Sequence, residues 1–207
     1  WISELAQGIK HEASSCGAVV VGGDLARGPI KVISMSALGE VDNAVTRSGA
    51  QVGDSIYLSS LPGWSAAGLA SIAKTEPSDL ESYAVEEFCA PTLDYSMAVA
   101  FANKGAHAMC DISDALVIQA RQMADSSKVA FKFDLSKIQS CSEFVELESL
   151  SRALEIDIWK WIFAGGEDHV LLATGVDLPG ILIGEVIAGA GIQNLPIGVE
   201  TSAWRHF

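Results

Sequence analysis

Three short stretches of the sequence set carboxylates beside glycines or at the ends of apolar runs: Gly22-Gly23-Asp24, Asp111-Ile112-Ser113-Asp114 and Gly165-Gly166-Glu167-Asp168. In the first, Val19 to Val21 read as a buried strand that ends in two residues without side chains. Glycine there permits positive φ and lets a large ligand approach bare N–H groups. The same string is also an ordinary tight turn, and the residues alone support both readings. In the second stretch, Ser113 is placed to cap a following helix and Asp114 to sit in its first turn, where negative charge suits the dipole. Asp111 is then surplus to structure. Two carboxylates a turn apart at a strand-to-helix junction form a magnesium platform, with Ser113 facing any phosphate at the helix start. The third stretch repeats the order of glycines before acids, Glu167 and Asp168, ahead of another apolar run. Near the C-terminus, Trp204 reads as a docked apolar anchor or as a ring clamp, beside Arg205 and His206.

Composition narrows the chemistry. Acidic residues outnumber basic ones by 26 to 13, for a net charge of −13. That argues against a nucleic-acid partner, because phosphate-backbone binding rests on lysine and arginine clusters. A small phosphorylated ligand stays compatible, provided a metal supplies the positive charge. Neither the P-loop string nor the dinucleotide-binding glycine fingerprint is present, and the cations nearest the acidic turns are Arg27, Lys31 and Arg47. Cys16, Cys89, Cys110 and Cys141 are widely spaced, without a C-x-x-C pair, which reads as buried, reduced thiols of a cytoplasmic protein. No apolar run has the length of a bilayer span, and the chain opens without a basic-then-apolar leader, so no membrane partner is expected.

The elements that must position these residues follow from periodicity. Ile2, Leu5, Ile9 and Ala13 recur at helical spacing and predict a helix over 2–15. Strands are expected over 17–23 and 30–41, and a polar, glycine-bearing junction over 42–54. Beyond it, strands are expected over 55–60, 106–111, 129–135, 169–175 and 181–187. Helices are expected over 64–74, 95–105, 113–127 (with Ser113 as N-cap) and 143–156. Strands alternating with helices imply an α/β or α+β class.

Seven strings occur in one order: "GGDLARGP", "RSGAQVGDSIYLSS", "PGWSAAGL", "GAHAMCDISDAL", "GGEDHVLL", "IGEV" and the terminal "WRHF". In that order the chain resembles the thiamine-monophosphate kinase family, of the superfamily that also holds aminoimidazole ribonucleotide synthetase and selenophosphate synthetase. The resemblance implies an α/β (α+β), aminoimidazole ribonucleotide synthetase-like two-domain fold with a mixed sheet and helices in the C-terminal domain. Residues 1–45 would be the end of the N-terminal, ATP-binding and dimerisation domain, and 46–207 the C-terminal domain. It implies ATP- and Mg2+-dependent phosphorylation of thiamine monophosphate to thiamine diphosphate, in a cytoplasmic homodimer. By the same resemblance Gly23, Asp24, Arg47 and Ser113 bind ATP, and Asp24, Asp111 and Asp114 bind magnesium. Glu167 and Trp204 bind thiamine monophosphate, and no residue acts as a general base. The sequence departs from the family pattern at Leu25 (usually threonine), Ala115 (usually glycine) and His169 (usually tyrosine). An aspartate-rich portion, roughly the first third of such a protein, is expected upstream of Trp1. Two further readings stay open: another ATP-dependent synthetase of the superfamily, and a non-catalytic binding or assembly module.

Overall fold

The computed structural model describes residues 1–199. The chain divides into two units, Trp1–Asn43 and Ala44–Phe207.

In the first unit the helical periodicity is realised as α1 (Ile2–Ser15), none of whose residues is buried within this chain. The ammonium of Lys31 stands 4.8 Å over the Trp1 ring. The strands expected over 17–23 and 30–41 are not formed; residues 18–43 carry neither helix nor strand. An extended, β-branched run becomes a strand only when a neighbour pairs with its N–H and C=O groups. No ladder reaches this run among the described residues, and Val19, Val21, Leu25, Ile30, Val32 and Leu38 are exposed.

The second unit carries the sheet. Its strands are β1 (Ser55–Leu58), β2 (Ala108–Asp111), β3 (Ala130–Phe133), β4 (Leu171–Gly175), β5 (Ile181–Ile187) and β6 (Gly191–Gln193). They lie in the order β2-β4-β1-β5-β3-β6. All neighbours are antiparallel except β3 and β6, so the sheet is mixed, as expected. Successive side chains on a strand point to opposite faces. Ile56, Leu58, Leu172 and Ile183 therefore enter the main core, while Tyr57 and Ala173 enter a smaller cluster on the other face.

Helices cover both faces. The main core is closed by α2 (Trp64–Ser71), α5 (Leu116–Ser127), α7 (Ser142–Ala153) and α8 (Ile158–Ala164). Phe133 and Phe163 meet edge to face at its centre, with ring centroids 5.0 Å apart. The smaller cluster is closed by Phe101 of α4 (Tyr95–Asn103). Two further helices are α3 (Asp79–Cys89) and the short α6 (Leu135–Gln139). Periodicity did not announce α3, α6, α8 or β6. α3 nevertheless carries a local start: Ser78 Oγ accepts from the Glu81 amide, and the Glu81 carboxylate accepts from the Ser78 amide at 2.7 Å. The four cysteines are free; Cys110 is buried and Cys141 half-buried, whereas Cys16 and Cys89 are exposed, contrary to the expectation of buried thiols.

Candidate functional site

The acidic string after β2 is built differently from its sequence reading. Ser113 does not cap α5. Ala115 occupies the N-cap with extended backbone, and its N–H donates instead to Gln119 Oε1 at 3.0 Å. The cause is burial: Ala115, Leu116 and Val117 are drawn into the core, so the polar pair ahead of them stays in a loop. A side chain one turn into the helix meets the orphan amide in place of a cap. The same Gln119 donates from Nε2 to Asp114 Oδ2 at 3.2 Å, so it fixes Asp114 as well. Nothing in the sequence reading singled out Gln119; its spacing, four residues beyond Ala115, was the available clue.

The glycine-acid segment that follows α8 lies against this loop. Glu167 N–H donates to Ser113 O at 2.7 Å, His169 N–H to Ile112 O at 2.9 Å, and Ile112 N–H to Val170 O at 2.8 Å. The approach is close enough to require glycine at 166, where a Cβ would stand 2.3 Å from Asp114 O. Glu167 and His169 both adopt left-handed backbone, with φ of 65° and 54°. Non-glycine residues rarely occupy that region, and such strain gathers at functional sites. Between them Asp168 is buried while Glu167 is exposed.

Asp168 faces the start of α2. Its Oδ2 accepts from Gly63 N–H at 2.9 Å and its Oδ1 from Ser65 N–H at 3.0 Å. Burial pushes its carboxyl up to about 6, against the pull of these two amides. Its place in the structure is thus explained by the helix end it satisfies. Among the described residues the Glu167 carboxylate accepts no backbone amide, and its side chain is exposed.

Asp111 faces both Arg47 and His169. Arg47 Nη2 lies 3.9 Å from its Oδ1 and His169 Nδ1 3.5 Å from its Oδ2, while His169 Nε2 stands 3.8 Å from Glu167. The structure therefore brings Arg47, Asp111, Ser113, Asp114 and Glu167 to one end of the sheet. Gly23 and Asp24 belong to the first unit, where Asp24 Oδ1 accepts from Leu25 N–H at 2.9 Å. Trp204 lies outside the described residues.

Among the described residues no three His, Cys, Asp or Glu side chains converge as a metal cage. Magnesium does not need one, because it is commonly held by one or two carboxylates together with substrate phosphates and water. Asp111, with its side chain 45% exposed, and Asp114 beside it fit that pattern.

A groove of about 420 Å³ opens next to these residues, shared by Asp111, Asp168 and His169. Aromatic rings of Trp64, Tyr83 and Tyr95 line it, together with Glu87 and Glu143, and no lysine or arginine is among its described lining residues. Trp64 and Tyr83 meet edge to face at 4.9 Å. Burial raises the Glu143 carboxyl above the ordinary range, although Leu61 N–H donates to it at 2.9 Å.

Fold and site together define an α+β domain that presents carboxylates and an arginine at strand ends beside an acidic, aromatic groove. Residues 51–164 match the family described as AIR synthase related protein, C-terminal domain, and the chain belongs to that family. Its similar relatives are thiamine-monophosphate kinases. The one from Corynebacterium glutamicum is 33% identical over 100% of this chain and 66% of its own length. The one from Mycobacterium tuberculosis is 36% identical over 83% of this chain and 51% of its own. Among solved structures, AaThiL complexed with AMPPCP and TMP superposes with a TM-score of 0.66 at 29% identity, covering 79% of this chain and 54% of that one. The chain thus spans between about half and two thirds of the length of these relatives.

Proposed function

We propose that this chain is part of an ATP-dependent kinase that phosphorylates thiamine monophosphate to thiamine diphosphate. One observation carries the reading. The Asp111–Asp114 loop and the Gly165–Val170 segment are hydrogen-bonded to each other. Residues assigned to the nucleotide and to the acceptor phosphate are then adjacent, as transfer between two phosphates demands.

In this reading Arg47 and Ser113 meet the phosphate chain of ATP, and the family resemblance assigns Gly23 and Asp24 to ATP as well. Asp24, Asp111 and Asp114 would hold Mg2+. Magnesium, when bound, supplies the positive charge that lets a polyphosphate approach so many carboxylates. Glu167 and Trp204 would hold thiamine monophosphate, and the carboxylates and aromatic faces of the groove suit its cationic ring. The acceptor oxygen belongs to a phosphate that is already ionised at neutral pH, so no side chain need act as general base. Residues 1–45 are read as the end of an N-terminal domain and 46–207 as the C-terminal domain of a cytoplasmic homodimer.

The test is turnover by the complete gene product with ATP and thiamine monophosphate, reading thiamine diphosphate and ADP. ATP consumption without thiamine diphosphate, or with another acceptor in its place, would overturn the assignment in favour of a different synthetase. No magnesium-dependent heat on titration with ATP would mark a non-catalytic module. ATP binding that survives excess chelator would remove the metal from the account.

A further inference from the structure

Arg47 sits on a connection, residues 44–54, that contains neither helix nor strand, and its side chain is half-exposed. An unsupported loop of that length would not keep a guanidinium at one place. This one is tied down at both ends and in the middle. Met109 N–H, on β2, donates to Thr46 O at 2.9 Å. The hydroxyl of Ser127, the last residue of α5, accepts from two successive amides, Gly49 at 3.1 Å and Ala50 at 3.2 Å. Asp54, only 3% exposed, accepts from Gln51 N–H at 2.9 Å through one oxygen and pairs with His107 Nδ1 at 2.8 Å through the other. Gly49 makes the fit possible: its φ is 140°, and a Cβ would lie 2.3 Å from His107 O.

We propose that Ser127 and the Asp54–His107 pair are positioning residues for Arg47. They clamp the 44–54 connection beside β2, so that the guanidinium stands at the Asp111 end of the strand. Among the described residues, it is Arg47 that spans from the clamp to the Asp111 carboxylate. The inference rests on the reading above that Arg47 meets the phosphates of ATP.

Steady-state kinetics of the complete gene product test it. Arg47→Ala should raise the KM for ATP and leave the KM for thiamine monophosphate unchanged. Ser127→Ala and Asp54→Asn should raise the KM for ATP by about threefold to tenfold, the size of one or two lost hydrogen bonds. Ser127→Thr, which keeps the hydroxyl, should restore it. In an Arg47→Ala background the Ser127 and Asp54 substitutions should have no further effect, because their only route to the nucleotide is gone. Should Arg47→Ala weaken ATP while Ser127→Ala does nothing, or should the effects simply add, the clamp is wrong and the role of Arg47 stands. Should Arg47→Ala itself leave the KM for ATP unchanged, the nucleotide assignment fails first. Hydrogen exchange at the amides of residues 49–51, faster in Ser127→Ala with the sheet unchanged, separates loosening of this loop from general unfolding.

Discussion

Asp168 and Asp111, two carboxylates that line the same groove, do different work because one is buried and the other is half-exposed. Burial pushes the Asp168 carboxyl up to about 6, well above its ordinary 3.8. Between about pH 4 and about pH 6 the folded protein therefore binds more protons than the unfolded chain, and stability falls as pH rises through that window. The shift corresponds to about 3 kcal/mol at most. Urea midpoints measured across the window should decline more steeply for the native protein than for Asp168→Asn; superimposable slopes would refute the raised carboxyl. Asp111 is half-exposed, and among the described residues its carboxylate accepts no backbone amide. Asp111→Asn should keep stability within about 0.5 kcal/mol. Turnover of the complete protein should fall by about a hundredfold or more, the range seen when a group that manages transition-state charge is removed. Normal turnover would dissociate this residue from the reaction.

The elements of the fold differ in how legible they are in the sequence. β1, β2, β3, β4 and β5 alternate or run apolar in ways a sequence reader can see, and α2, α4, α5 and α7 follow their periodicity. Periodicity does not reveal α3, although its capping box is written in Ser78 and Glu81, because its buried positions are few: Glu81 and Ala84. It matters for the site, since Tyr83 and Glu87 of α3 line the groove. Ser78→Ala should therefore cost about 0.5–2 kcal/mol, as N-cap losses do. It should also loosen the groove's aromatic pair. Thermal unfolding and the near-ultraviolet dichroism of Trp64 and Tyr83 read both; an unchanged melting temperature would show that the cap is redundant with Lys74, whose ammonium pairs with Glu81. The opposite holds over 17–23 and 30–41, where strand propensity is high and no strand forms. Propensity describes fit to a pleated, half-buried surface, and without a neighbouring strand there is no such surface.

As a whole molecule, the chain keeps its large core within Ala44–Phe207. Those residues expressed alone should unfold cooperatively in urea and remain monodisperse. The full 207-residue chain should associate through the exposed apolar side chains of 18–43, a row of which tends to pair with other chains. Light scattering compares the two; a non-cooperative 44–207 fragment, or a monodisperse longer chain, would contradict this division of labour. By itself the sequence determined the class of fold, the acidic character that calls for a cation beside any phosphate, and the strings that carry the family resemblance. Each of these is written in neighbouring residues. Tertiary structure alone decided that Asp168 turns inward, that Ser113 is no cap, and that Arg47 stands beside Asp111. The reason is distance along the chain: Asp168 answers an amide 105 positions away, and Ser127 holds amides 77 and 78 positions away. Such partners are chosen by the packing of the whole sheet and its helices, which no local pattern records.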